Sequence, residues 1–420
     1  MHNTHSRNTV RYYILAVVFL AFLFFSNDFG LMDVQKTAIV MAVGVDKEED
    51  EFVLTSQIAM PQAGQQKSSQ AVQLVSKGKT VAEAFEQINA KTGWYPKLVF
   101  CELILLGEKT AQENVFDALD FFLLDEYLAD DCQVAVCKGL ARDILNTSAL
   151  VDPSSGVAIS KILSPHAERV GSVHPVNLKD FSIGHFGDSR SAMLPILKTE
   201  PQQEKINSSS TPSNSSSAES GGQGEQGGQN GKQNSSQSSG QGGQGSGEEK
   251  NKPVFSARET ALFVYGKWRE TLNEEETFAV NIALGKLRLA SYSVDYLDNT
   301  CTLVIKRNDP KIRLKLGEDG KGQVKITLSV TAGLADYSKA LGVDELADVG
   351  DVPDGVFGAA EKKLSAALHT VYEKARRVGC DVFGLQERLI KYKQRKYHQY
   401  KDVLLDNVSL VTDVRFRNVR

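Results

Sequence analysis

Between Lys97 and Gly139 the chain changes its hydrophobic rhythm three times. Residues 98–106 are an almost unbroken apolar run, interrupted only by Glu102. A run of that length without alternation suits a strand covered on both faces. Thr110 followed by Glu113 forms a capping box, and Val115, Ala118, Leu119 and Phe122 then fall on one helical stripe. Residues 132–137 read as a second short strand, closed by Gly139. Strand, helix and strand predict a parallel, right-handed crossover. Upstream, residues 38–45 and 52–60 flank a charged turn and predict a hairpin, and 64–70 read as a polar loop. Thr80 and Glu83 form another capping box, for a helix striped by Val81, Ala84, Phe85 and Ile88 and ended by Gly93.

Downstream, residues 141–146, 156–164 and 177–181 predict short helices. Residues 192–198 look extended, with Pro195 marking an edge strand, and 259–265 form the next strand. A helix over 273–284 carries Glu274, Glu275 and Glu276 in its first turn, where the macrodipole favours acid. Cys301, Leu303 and Ile305 alternate, as do Val324, Ile326, Leu328 and Val330 against Lys325, Thr327 and Ser329; both patterns predict half-buried antiparallel strands. The longest helix spans 354–378, its buried stripe running from Val356 through Leu364 to Ala375, with Gly379 as its cap. Asp381 caps a further helix carrying Leu385 and Leu389, and Val408, Leu410, Val414 and Phe416 mark a closing strand.

Two stretches stand apart from this pattern. Residues 12–25 (YYILAVVFLAFLFF) are continuously apolar. That is short of the roughly 20 residues of a full span, but Phe29, Leu31 and Met32 extend it. We read an uncleaved membrane anchor marked by Arg11, Tyr12, Phe19 and Phe25. The length also fits a signal-peptide core, although no small-x-small cleavage site follows. Arg7 and Arg11 before the run, with Asp28 and Asp33 after it, place the N-terminus in the cytoplasm and the bulk outside. Residues 201–252 are Ser, Gly, Gln and Asn with almost no apolar side chains, which predicts a disordered insertion between two strands. The expected fold class is α+β: three mixed α/β domains behind a single N-terminal membrane anchor. The expected divisions are 1–32 for the cytoplasmic tip and anchor and 33–147 for an N-terminal α/β domain. A middle domain then covers 148–285, interrupted by 201–252. Residues 286–420 form an α+β domain with long helices on an antiparallel sheet.

Composition narrows the chemistry mainly by exclusion. A net charge of −4 gives no reason to expect nucleic acid as a partner. Five scattered cysteines do not make a disulfide framework; Cys132 and Cys137 point to opposite faces of a strand, and all five read as core or near-core residues, with a single bridge as the alternative. The chain has no phosphate-binding glycine loop and no nucleophile elbow. His166, His174 and His185 cluster loosely without metal-ligand spacing. The expectation is therefore no catalytic, cofactor or metal residue. Glu102, inside an apolar run, is the one odd carboxylate: either an acid of raised pKa or a residue bonded locally. Trp94 and Trp268 read as packing residues, with a ligand cleft as the alternative. Residues 376–420 hold 11 Lys and Arg against 5 Asp and Glu. Within them Lys391, Lys393, Arg395 and Lys396 are candidate contacts to membrane lipid or a partner, beside the plainer reading of a solvated helix face.

Several stretches, taken in order, resemble one family. They are the 38–46 strand with its Val-Gly-Val-Asp ending, LILLGEKTAQENVFDALDFFLLDE, VAVCKGLARDIL, ETALFVYGKWRETLNEEET and CDVFGLQERLIKYKQ. Together they are similar to the Ger(x)C family, the C subunit of spore nutrient-germinant receptors. The resemblance implies a non-enzymatic, three-domain subunit on the outer face of the spore inner membrane. It implies action with a transporter-like multi-span B subunit and a larger A subunit in nutrient-triggered germination, and it carries over no catalytic or ligand residue. Members of the family are typically lipoproteins, whereas here no cysteine precedes Cys101, so residues 12–25 stand in for the lipid. The insertion at 201–252 is also longer than the family pattern. Two other readings remain: an anchored extracytoplasmic solute-binding protein with ligand between domains, and an anchored cell-wall hydrolase using Glu102.

Overall fold

The apolar runs that fail to alternate lie inside one nine-stranded sheet. The computed structural model describes residues 12–20, 37–59, 71–164, 171–201, 253–287, 289–317, 321–338, 352–401 and 403–419. Strands β1 (Thr37–Glu48), β2 (Glu51–Ala59) and β3 (Ala71–Gly78) form an antiparallel meander. β1 also runs parallel to β4 (Tyr95–Lys97) and then to β5 (Leu103–Leu106). β6 (Gln133–Cys137) and β7 (Ser191–Glu200) extend the parallel part, and β8 (Val254–Val264) and β9 (Lys267–Leu272) close the sheet antiparallel. The order is β3-β2-β1-β5-β6-β7-β8-β9, with β4 beside β1.

Helices cover both faces. After α1 (residues 12–20), α2 (Val81–Thr92), α3 (Glu108–Glu113) and α4 (Phe116–Leu124) pack on one side. α5 (Ala141–Asn146) and α6 (Ser155–Leu163) pack on the other, while α7 (Leu178–Phe186) joins the first group. β5 shows the reason for its unbroken run: Ile104 and Leu106 enter one core, Leu103 and Leu105 the other, and all four are fully buried.

A second, four-stranded sheet holds β10 (Ala290–Tyr296), β11 (Asn299–Leu316), β12 (Gly322–Tyr337) and β13 (Val408–Asn418) in that order. One of its faces is covered by α9 (Asp354–Val378). Between the sheets lies α8 (Glu274–Ala283), buried from Glu276 to Ala283. Its core includes Leu262 and Leu272 of the first sheet together with Val324 and Ile326 of the second. A helix buried all round needs apolar neighbours on every side, and here the two sheets supply them.

Several expectations are corrected. The predicted strand over 98–106 splits: Cys101 N–H donates to the Leu98 carbonyl in a turn, Val99 and Phe100 are exposed, and only Leu103–Leu106 is strand. Thr110 is not a cap; α3 begins at Glu108, and the buried Thr110 hydroxyl donates to the Val45 carbonyl. Pro195 does not mark a sheet edge, because β7 lies between β6 and β8. β6 pairs only with Ile196 and Leu197, so Pro195 itself has one strand neighbour. The second sheet is mixed, since β12 and β13 run parallel. β3 escaped the sequence reading. Apart from these corrections, the strands on both sides of position 147–148 lie in one sheet. Among the described residues no helix is long and apolar enough to cross a membrane. On α1, Tyr12 and Phe19 are exposed, while Arg11 and Phe25 lie outside the described residues, as do the 64–70 loop, His166 and residues 202–252.

Candidate functional site: capping carboxylates and the cleft between the sheets

The stretches singled out in the sequence meet at the C-terminal ends of the parallel strands. Asp46, at the end of β1, is buried. Its two carboxylate oxygens accept from the Ala141 and Arg142 backbone N–H groups at 2.8 and 2.9 Å, capping α5 from 95 residues away in sequence. Burial raises the Asp46 pKa, and the two N–H bonds oppose that rise by favouring the charged form. Gly107 leaves the room: a Cβ there would lie 2.1 Å from Asp46 Oδ1. Beside it, Glu108 N–H donates to the Gly139 carbonyl, and Gly139 N–H returns a bond to Glu108 Oε2. Val-Gly-Val-Asp, Leu-Leu-Gly-Glu and Cys-Lys-Gly therefore form one joint.

The other two stretches also resolve into helix starts. Asn273 and Glu276 form a reciprocal capping box on α8, and the buried Glu276 accepts a 2.8 Å bond from Lys374 of α9. Asp381 accepts from Leu385 and Gln386 N–H at 2.8 and 2.7 Å, starting α10 (Leu385–Lys393), while its own N–H donates to Ser191 of the first sheet. Burial raises the Asp381 pKa as well. Glu102 is exposed and accepts from Ser160 at 3.0 Å, so it is not a buried acid. Trp268 packs in the core of the first sheet and donates to the Glu270 carbonyl; Trp94 is partly exposed. His174 is buried with Asn281, and His185 stacks on Phe116. All five cysteines are free and buried, with Cys132 and Cys137 in different cores.

One cleft lies where the sheets meet, with a volume of about 530 Å³. Arg258 of β8 and Glu274 of α8 pair across it at 3.4 Å. Phe278 and Tyr292 stack in its wall with centroids 4.9 Å apart, and Lys363 Nζ sits 5.4 Å from the Tyr292 ring. Glu275 and the Ser172, Ser291 and Ser293 side chains complete a polar lining. The Tyr292 hydroxyl is buried without a partner among the described residues. Burial raises its pKa, and the nearby Glu275 adds to the rise.

Residues 31–199 match the spore germination protein N-terminal domain, and residues 258–416 match the spore germination B3/GerAC-like C-terminal domain. The chain belongs to the Ger(x)C family. Spore germination protein A3 of Bacillus subtilis (strain 168) is 27% identical over 207 residues, 47% of this chain and 54% of that protein. Spore germination protein B3 of the same organism is 26% identical over 136 residues, 31% of this chain and 36% of that protein. The chain thus spans about half the length of the first relative and about a third of the second. The crystal structure of the GerBC protein shares the fold, with a TM-score of 0.50 at 15% identity over 90% of this chain and 97% of that one.

The interval between the two Ger(x)C domain matches, 200–257, contains the Ser/Gly/Gln-rich stretch, whose flanks pair as Glu200 with Val254. Of the candidate contacts, Lys391, Lys393 and Arg395 are exposed, whereas Lys396 is half-buried. Lys396 Nζ donates to the Gly317 carbonyl at 3.0 Å, Tyr400 to the same carbonyl and Arg388 to that of Ile312. These bonds lay the basic segment along the half of β11 that β10 leaves unpaired. The covering blunts an open sheet edge, and no local pattern in the segment announces it.

Proposed function

We propose that this chain is a C-type subunit of a spore germinant receptor, required for nutrient-triggered germination. It would be non-enzymatic, and it would assemble with a transporter-like multi-span B subunit and a larger A subunit on the outer face of the spore inner membrane. The observation that carries the reading is the match of both family domains, in order, along most of the chain. A non-enzymatic role is supported by the use of the buried acids: the Asp46, Glu276 and Asp381 carboxylates all accept backbone N–H bonds at helix N-termini. The apolar side chains of α1, with Tyr12 at 72% and Phe19 at 64% exposure, support an anchor that begins there. We also propose that the chain is organised as 33–147, 148–285 and 286–420, the second unit adding β7–β9 to the sheet of the first.

Spores of a deletion strain test the proposal by dipicolinate release. The expected result is loss of the nutrient response with the response to a receptor-bypassing agent intact. An unchanged response across a broad nutrient panel, with no multi-span companion co-purifying in mild detergent, would overturn it.

The cleft favours a second reading, an anchored extracytoplasmic solute-binding protein. Its volume lies within the range of small-molecule sites, and it offers charges of both signs beside the unpaired Tyr292 hydroxyl. Calorimetry of the full chain with single amino acids and hexoses is then expected to show saturable heat that Tyr292→Phe weakens. Flat titrations across both classes would remove this reading.

A further inference from the structure

The register of the second sheet assembles a basic surface that no contiguous run of sequence contains. α9 covers one face, and the residues between the buried ones point the other way. Across β11, β12 and β13, Arg307 lies beside Thr331 and Arg417, and Asp309 beside Ser329 and Arg415. Lys311 follows beside Thr327 and Asp413, then Arg313 beside Lys325 and Val411, and last Lys315 beside Gln323 and Ser409. Asp295 of β10 and Asp336 of β12 lie at the far end of the open face, and over the stretch from Arg307 to Lys315 seven cations share it with two carboxylates, in a chain whose net charge is −4. The carboxylates are already engaged: Asp413 pairs with Lys325 and Arg415, and Asp309 with Lys311. Arg307, Arg313, Lys315 and Arg417 are exposed and have no ion-pair partner among the described residues. Lys391, Lys393 and Arg395 continue the charge along β11, because Lys396 and Arg388 bond to that strand's backbone.

We propose that this open sheet face seats against the anionic headgroups of the membrane that carries the chain. The proposal rests on the anchored reading above. Charge complementarity favours lipid: long, flexible cationic side chains spread over a broad strand surface match a diffuse negative plane, and each gains from the surface potential. The attraction falls off within a Debye length, about 10 Å at moderate salt, so it acts only if the face lies close to the bilayer. Lateral partners would then be presented with the opposite, helix-covered side.

The test uses the full chain in nanodiscs of neutral or anionic phospholipid. Because the native cysteines are buried, Ser329→Cys places a single reactive label on the face. Its quenching by a headgroup-attached quencher is expected in anionic discs at low salt. It should be lost at high salt and in the combined Arg307→Glu, Arg313→Glu, Lys315→Glu variant, whose folding is checked by circular dichroism. Absent quenching in anionic discs that contain the chain, or equal quenching by neutral and anionic lipid, overturns the proposal and leaves the anchored reading intact. A chain that enters neither disc overturns the anchored reading. Flotation with anionic vesicles then decides the sheet face, and absence of salt-sensitive binding overturns that too.

Discussion

Alanine at position 107 is expected to destabilise the protein by about 3–5 kcal/mol, through the Asp46 carboxylate rather than through the glycine's own contacts. The added methyl would lie 2.1 Å from Asp46 Oδ1. No rotamer change at alanine relieves that overlap, so the carboxylate must move. Moving it breaks the bonds from Ala141 and Arg142 N–H, each a charge-assisted bond worth about 1.5–3 kcal/mol. The start of α5 then loses its cap in a buried place where water does not substitute. Urea unfolding followed by circular dichroism measures the loss. A double-mutant cycle tests its cause: in an Asp46→Ala background, Gly107→Ala is expected to add about 1 kcal/mol or less. An equal cost in both backgrounds would show that the joint does not work through Asp46.

The parts of this fold legible in the sequence are those whose partners are close in the chain. Thr80 accepts from Glu83 N–H at 3.1 Å as its spacing predicts, and Val81, Ala84, Phe85 and Ile88 are buried together. α9 likewise ends at Gly379 in the left-handed conformation with φ 73°. What escaped depends on distant partners. β3 carries exposed Val72 and Val75 beside polar residues, a pattern without clean alternation. β6 and β7 were each legible as strands, but they meet at only two residue pairs, and Pro195 beside that short ladder read as an edge. The direction of β13 against β12 is invisible to periodicity, since a strand alternates identically in either sense. The same limit governed the candidate sites. Lys391, Lys393, Arg395 and Lys396 stood out because they are contiguous. Lys311, Arg313 and Lys315 repeat every second residue on β11, a signal present in the sequence, but their union with Arg415 and Arg417 appears only once the strands are in register. Asp46 was legible as the end of a motif, not as the cap of a helix 95 residues away.

Between pH 7 and pH 4 the protein is expected to lose about 3 kcal/mol of stability through His174 alone. Asn281 fixes the ring's state: its Nδ2 donates to the Gly171 and Val173 carbonyls, leaving Oδ1 to face the imidazole. His174 Nδ1–H therefore donates to Asn281 Oδ1 at 2.6 Å. Burial, together with the charge of Lys286, pushes the His174 pKa down to about 3, although the Asn281 bond opposes the shift. An unfolded histidine titrates near 6.5. As pH falls below that value the unfolded chain binds a proton that the folded chain refuses, so stability is full above about 6.5 and drains away toward 3. Asp46 and Asp381, with raised pKa values, act in the opposite sense as pH falls. They are common to the wild type and to His174→Gln, so the difference between the two proteins isolates the histidine. Urea midpoints at neutral and acidic pH should converge as pH falls, the wild type losing its advantage, whereas parallel pH profiles would mean that His174 is protonated in the folded state. The consequence is structural: His174 and Asn281 join the 171–177 segment to α8, the helix between the two sheets, so acid should loosen the inter-sheet contact before it unfolds either sheet. A fall in the hydrogen-exchange protection factors of the α8 amides between pH 7 and pH 4, in the wild type but not in His174→Gln, is the expected signature.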